Sequence, residues 1–214
     1  MYVGRIVSVY LTKENKLGAM YRVSSRSFPN REAKVNETTV SIVPKPGHEG
    51  DIFKNPYIAY NCVRLVGSHA IVTNGSHTDP IAEKIAAGMS MRDALAVATF
   101  AMDYEHDHLN TPRISAIVDL KTRKGYLGII RHDALIIKEI DLKPGEAFYV
   151  ATYEHDGISG HHKDSAITID SAESACDYII GKGVFADLEK PITAAAVIED
   201  GDSFSIAIKD APSA

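Results

Sequence analysis

The stretch Val72-Thr-Asn-Gly-Ser-His-Thr-Asp-Pro-Ile81 changes the period of the chain, and so constrains its fold more than any other. Asn74-Gly75 is a tight-turn signal, because both residues tolerate positive φ. Asp79-Pro80 reads as a helix N-cap followed by proline at the first helical position. A β-branched run therefore ends here and a helix begins, with only polar residues and a glycine between them. Such a junction leaves backbone N–H groups free beside a helix N-terminus, a place for an anion or a polar ligand.

On the N-terminal side of this junction the period is two. Tyr2–Leu11, Gly18–Ser25, Thr38–Val43, Tyr57–Val66 and His69–Thr73 alternate or are rich in Val and Ile, so they predict strands. Breaks at Asn15–Gly18 and Gly67-Ser68 predict hairpins, and Pro44–Pro56 predicts a polar loop. From Pro80 the period becomes helical, with Ile81, Ile85, Ala94, Leu95 and Ala98 on one face. Gly88 breaks that pattern and Ser90 with Asp93 restarts it, predicting two helices or one kinked helix ending near Tyr104.

Strands are predicted again at Ile114–Leu120, Tyr126–Arg131, Ala134–Ile140 and Ala147–Tyr153. Asp170 with Glu173 predicts a helix cap, the helix stopping at Gly181 or Gly183. Ala194–Glu199 and Ser203–Ile208 predict a last hairpin around Asp200-Gly201-Asp202. About eleven strands and two or three helices make an α+β protein in which sheet dominates.

A chain of 214 residues buries one sizeable core, so a single domain over 1–214 is expected. Hydrophobic residues at 45% and charged residues at 24% are ordinary for a globular protein. A net charge of −5 argues against a nucleic-acid binder. Locally the sign reverses, since Arg22, Arg26, Arg31 and Lys34 face only Glu32 within that segment. A small anionic ligand is therefore expected there. Cys62 and Cys176 lack zinc-site spacing, no apolar run reaches membrane-span length, and no signal-peptide core is present. A cytoplasmic location follows as the expectation. A sheet-rich chain of this size is also compatible with a homo-oligomer.

Three segments carry residues suited to chemistry. In Ser24-Ser-Arg-Ser-Phe-Pro-Asn-Arg31, two arginines around a Pro-Asn turn can converge on one phosphate. In Asn55-Pro-Tyr-Ile-Ala-Tyr-Asn-Cys-Val-Arg64, Tyr60 and Cys62 face one way on a strand and Asn61 the other. A cysteine inside a strand is more often a small buried hydrophobe than a nucleophile. In Asp103-Tyr-Glu-His-Asp-His108, a carboxylate such as Glu105 held near apolar residues suits acid–base work. The echo of this segment in Tyr153-Glu-His-Asp156, with His161 and His162 nearby, leaves metal ligation as a minor alternative. Phosphate-loop, dinucleotide, nucleophile-elbow and H-E-x-x-H signatures are absent.

Taken together and in order, S-S-R-S-F-P-N-R (24–31), N-P-Y-I-A-Y-N-C-V-R (55–64), T-N-G-S-H-T-D (73–79), M-D-Y-E-H-D (102–107) and N-T-P-R-I (110–114) resemble the archaeal type of inosine monophosphate cyclohydrolase. The N-terminal M-Y-V-G-R-I fits too. The resemblance runs through the first 120 residues and weakens beyond them. It implies a four-layered αββα sandwich resembling N-terminal nucleophile hydrolases. It also implies the closing step of purine synthesis, in which 5-formamidoimidazole-4-carboxamide ribotide closes to inosine monophosphate with loss of water. No cofactor or metal is needed for that reaction.

Carried onto this chain, the resemblance implies catalytic roles for Tyr60, Asn61, Asn74, Tyr104 and Glu105. It implies substrate contacts from Arg22, Arg26, Arg31, Cys62, Gly75, Ser76, His77, Asp79 and Arg113. Donors to the oxyanion are expected from Asn61, Tyr60 or the Asn74-Gly75-Ser76 backbone, and the proton is expected to move through Glu105 or Tyr104. Two other functions compete with this one. The first is an amide hydrolase using Cys62, although Met1 is followed by Tyr2 and nothing signals self-cleavage before Cys62. The second is a non-catalytic purine-nucleotide-binding module.

Overall fold

The computed structural model describes residues 1–212 of the 214. It is an α+β structure with thirteen strands in two antiparallel sheets, four α-helices and two short 3₁₀ turns. The six-stranded sheet holds β1 (Arg5–Leu11), β2 (Leu17–Ser24), β10 (Glu146–Ala151), β11 (Lys163–Asp164), β12 (Pro191–Asp200) and β13 (Ser203–Asp210). Its order is β11-β10-β1-β2-β12-β13. The seven-stranded sheet runs in chain order through β3 (Arg31–Asn36), β4 (Thr39–Pro44), β5 (Tyr60–Val66), β6 (His69–Thr73), β7 (Arg113–Asp119), β8 (Lys124–Arg131) and β9 (Ala134–Ile140).

The alternation of side chains explains three separate apolar clusters. Val7 and Val9 of β1, Ala19 and Val23 of β2, Val40 and Ile42 of β4, and Val72 of β6 point between the sheets. The opposite residues of the six-stranded sheet, among them Ile6, Met20, Ala194 and Ala196, pack on α4 (Ala172–Gly181). Small alanines on β12 let that helix sit close. Ile71 and Ile117, on the outer face of the seven-stranded sheet, pack on α2 (Thr78–Ala86) and α3 (Met91–Met102). No helix among the described residues is long and apolar enough to cross a membrane.

The structure departs from the sequence-based expectation at β11, which no sequence pattern marks, at residues 56–58, which form a 3₁₀ turn ahead of β5, and in four further places. Residues 31–36, expected as part of an anion-binding segment, form β3, because Ala33 pairs with Ile42 and buries against the intersheet core. The loop over 44–56 contains a single turn of helix, α1 (Asp51–Lys54). Helix α2 starts at Thr78, so Asp79 lies inside its first turn instead of capping it, and His77 is the N-cap. Helix α4 is capped by Ser171 in a reciprocal box with Ser174, not by the Asp170–Glu173 pair. Helices α2 and α3 meet at the Gly88 break, and Ser90 caps α3 by accepting from Asp93 N–H as expected.

Candidate active site

Glu105 sits three residues past the end of α3, whose C-cap Asp103 has φ 55. The loop that follows is closed on itself. Glu105 N–H donates to the Thr111 carbonyl at 2.8 Å, and Asp107 accepts from both the N–H and the hydroxyl of Thr111. The Thr111 hydroxyl also meets the Tyr153 hydroxyl at 2.7 Å, which ties the loop to the end of β10. This bracing turns the Glu105 side chain inward, where it is only 2% exposed.

Two arginines flank that carboxylate. Arg5, at the start of β1, donates from Nη2 to Glu105 Oε2 at 3.1 Å. Arg113, at the start of β7, places Nη1 4.0 Å from Oε1 while its Nε donates to the Asp103 carbonyl at 2.7 Å. Burial raises the Glu105 carboxyl above the usual carboxylate range, and the two guanidinium groups pull against that rise without cancelling it. The result is a carboxylate suited to taking a proton and returning it.

Glu105 and Arg113 line a narrow cleft of about 20 Å³ with Pro56, Tyr57, Ala59, Tyr60, Gly75 and Ser76. That volume holds about one water molecule, so a nucleotide needs the cleft to widen. Around it Arg5 Nε, His77 Nδ1, Glu105 Oε1 and Arg113 Nη1 are buried without a hydrogen-bond partner among the described residues. Each such atom costs about 1–3 kcal/mol unless something else satisfies it, and four of them clustered here point to a polar ligand. A wider surface hollow of about 670 Å³, bordered by Ser25, Asn30, Lys45 and Lys190, contains none of these atoms.

Gly75 is required by close approach. A Cβ there would lie 2.6 Å from Arg113 Nη1 and 3.3 Å from His77 Nδ1. His77 itself is fully buried, and its Nε2 lies 3.1 Å from the Ile114 carbonyl. A carbonyl only accepts, so Nε2 carries the hydrogen and Nδ1 presents a lone pair. Burial and the charge of Arg113 push the imidazole down to about 3, which keeps it neutral.

Tyr60 opens β5 at the cleft, where burial raises its phenol above the ordinary value and the charge of Arg31, which opens β3, pulls against that rise. Arg31 is 3% exposed, with its Nε donating to the Phe28 carbonyl. Arg26 is exposed, pairs with Glu189 at 2.9 Å and covers the Tyr2 ring at 4.4 Å. Tyr60, Glu105, Gly75, Ser76, His77, Arg31 and Arg113 are thus brought together as a site.

Other expected site residues are elsewhere. Arg22 is fully buried and spent on structure, since its guanidinium donates to Ser24 Oγ and to the carbonyls of Ile179, Ile180, Phe185, Leu188 and Glu189. It holds the C-terminal end of α4 and does not reach a ligand. Asn74 is likewise consumed: Oδ1 accepts from Ile114 N–H at 2.8 Å and Nδ2 donates to the Pro112 carbonyl at 3.0 Å. Asn61 points to the outer face of its sheet, where Nδ2 donates to Asp79 and Oδ1 accepts from Ser41. Asp79 also holds Arg64 at 2.7 Å, so Asn61 and Asp79 clip α2 to β5 instead of facing the cleft.

Tyr104 packs against His106 with the rings tilted and 4.4 Å between centroids, outside the cleft lining. Cys62 lies fully buried between the sheets, and desolvation raises its thiol far above the ordinary value. A thiol held protonated in an apolar core is no nucleophile, which removes the basis of the amide-hydrolase reading. Among the described residues no three His, Cys, Asp or Glu side chains gather as metal ligands.

Sequence reasoning missed Arg5. Its signal was a lone cation opening an otherwise apolar strand, in the segment Arg5-Ile-Val-Ser-Val-Tyr-Leu11.

The family model described as IMP cyclohydrolase-like protein matches residues 2–203. The chain belongs to that family. Its relatives include a protein of Methanosphaera stadtmanae named IMP cyclohydrolase, 44% identical over 98% of this chain and 100% of that protein. Proteins of the same name from Methanocaldococcus jannaschii and Methanococcus aeolicus are 44% and 43% identical, over 98% and 94% of this chain and 99% and 97% of theirs. The matched span covers every residue of the cleft.

Proposed function

We propose that the chain is an IMP cyclohydrolase, closing 5-formamidoimidazole-4-carboxamide ribotide to inosine monophosphate with loss of water. The observation that carries this reading is the group of unpartnered buried atoms around Glu105 at the Tyr60 cleft, in a chain whose relatives bear that name. The carboxamide nitrogen attacks the formyl carbon, forming the ring C–N bond and leaving an oxyanion on a tetrahedral carbon. One proton leaves the carboxamide nitrogen and a second leaves the formamide nitrogen as the C=N bond forms. Both depart with the former formyl oxygen as water.

Glu105 takes the first proton and returns it to the departing oxygen, a role its burial suits. Tyr60 and the Ser76 backbone N–H, at the N-terminal end of α2, donate to the oxyanion, the Gly75 N–H being directed to Thr73 Oγ1. Arg5 and Arg113 hold Glu105 and offset developing negative charge. Arg31, helped by exposed Arg26, binds the phosphate. Much of the acceleration comes from holding the two exocyclic groups in near-attack geometry, because the reaction is intramolecular.

Helices outside both sheets support reading the fold as a four-layered αββα sandwich resembling N-terminal nucleophile hydrolases, with 1–214 as one domain. Two unpaired cysteines support a cytoplasmic location. The test is conversion of the formamide ribotide by the pure protein. A nucleotide-binding module without activity instead predicts stabilisation by inosine monophosphate and no consumption of the formamide.

A further inference from the structure

Tyr21 lies on β2 in the six-stranded sheet and Tyr60 on β5 in the other. Their hydroxyl oxygens meet across the intersheet core at 2.6 Å, with the rings edge-on at 6.5 Å between centroids. Tyr21 is fully buried, whereas Tyr60 reaches the cleft. No other hydrogen-bond partner of the Tyr21 hydroxyl exists among the described residues. An unmade donor is costlier in an apolar core than a spare lone pair, so Tyr21 donates and Tyr60 accepts. The Tyr60 proton is then free to point at the cleft.

We infer that Tyr21 is a positioning residue, whose hydroxyl fixes Tyr60 as a donor aimed at the ligand from between the sheets. The inference rests on the cyclohydrolase reading for its kinetic consequence, but the hydrogen bond itself does not. Without Tyr21, the Tyr60 hydroxyl turns inward or rotates freely, and its phenolate loses a donor. The charged or titratable groups facing Tyr60 are Arg5 from β1, Arg31 from β3, Tyr21 from β2 and Cys62 on its own strand, with Glu105, Arg113 and Tyr57 lining the same cleft.

The test uses the full chain with Tyr21→Phe, Tyr60→Phe and the double variant. Tyr21→Phe is expected to lower kcat about 10-fold with KM within about twofold of wild type. The double variant is expected to be no slower than Tyr60→Phe alone. Equal kcat in Tyr21→Phe and wild type overturns the proposal, as does a full additional loss in the double variant. Should wild type fail to convert the ribotide, the cyclohydrolase reading falls while a second arm still decides this one. In protein labelled with 3-fluorotyrosine, the Tyr60 fluorine resonance, assigned by its loss in Tyr60→Phe, is followed against pH. Its midpoint is expected to rise by about one pH unit in Tyr21→Phe. An unmoved midpoint refutes the coupling whatever the enzyme's activity.

Discussion

Arg5 Nη2 donates to Glu105 Oε2 at 3.1 Å, joining the first strand to a loop 100 residues later. Both side chains are largely removed from water, 14% and 2% exposed. An ion pair so placed gives little net stability, because desolvation offsets most of the attraction. Its use lies in orientation: one Glu105 oxygen is held, and the other is left unpaired beside Arg113.

Replacing Glu105 by Gln keeps an oxygen for Arg5 and removes the proton acceptor. Turnover is expected to fall by about 10²–10⁴-fold, with the circular dichroism spectrum unchanged. Initial rates on the formamide ribotide measure this. Wild-type turnover in the variant would remove Glu105 from the proton-transfer role.

Arg31→Ala is expected to weaken ligand binding more than it slows closure, since a phosphate contact acts in ground and transition states alike. Calorimetric titration with inosine monophosphate, set beside kcat, separates the two effects. An unchanged binding constant excludes Arg31 from the phosphate site.

Arg22→Met is expected to cost stability and leave kcat of the folded protein alone. It strands the five carbonyls at the end of α4 and behind it that now accept from the guanidinium. Burial already pulls that guanidinium down to about 10, still charged at neutral pH. A loss on the order of 3–5 kcal/mol is expected from urea unfolding. Asn74→Ala should behave alike but more mildly, by about 1–3 kcal/mol, because it frees Ile114 N–H and the Pro112 carbonyl. A large fall in kcat without destabilisation in either variant would restore it to the chemistry.

His77 makes stability depend on pH. Its folded-state pKa lies near 3, below the unfolded value of about 6.5. Stabilisation from this group is therefore complete above about pH 6.5 and lost as pH falls towards 3, at about 1.4 kcal/mol per pH unit. Between about pH 6.5 and 4.5, wild type should lose about 2–3 kcal/mol more than His77→Gln, which does not titrate. Parallel losses in the two proteins would show that His77 does not stay neutral.

Much of the fold was legible in the sequence. Period-two runs located β5 through β9, and the Gly88 and Ser90 signals located the α2–α3 break. Strand β3 was not legible, because Arg31-Glu-Ala-Lys-Val-Asn36 is an edge strand whose outward residues are charged and whose inward pattern is short. The site was legible by residue type but not by direction. Arg22 and Arg31 look alike in sequence, yet strand pairing sends one towards α4 and the other towards Tyr60. Asn61 and Tyr60 are neighbours whose faces differ by the strand alternation alone. The Arg5–Glu105 and Tyr21–Tyr60 pairs join distant segments, which no local pattern encodes.

The most direct measurement follows the ultraviolet spectrum of the purified protein with 5-formamidoimidazole-4-carboxamide ribotide, with and without chelator, beside Glu105→Gln. Inosine monophosphate should accumulate in step with loss of the formamide, at a rate the chelator does not change, and the variant should lag by about 10²-fold or more. Unconsumed formamide with the wild-type protein, at concentrations where inosine monophosphate binds, is incompatible with ring closure at the Glu105 cleft.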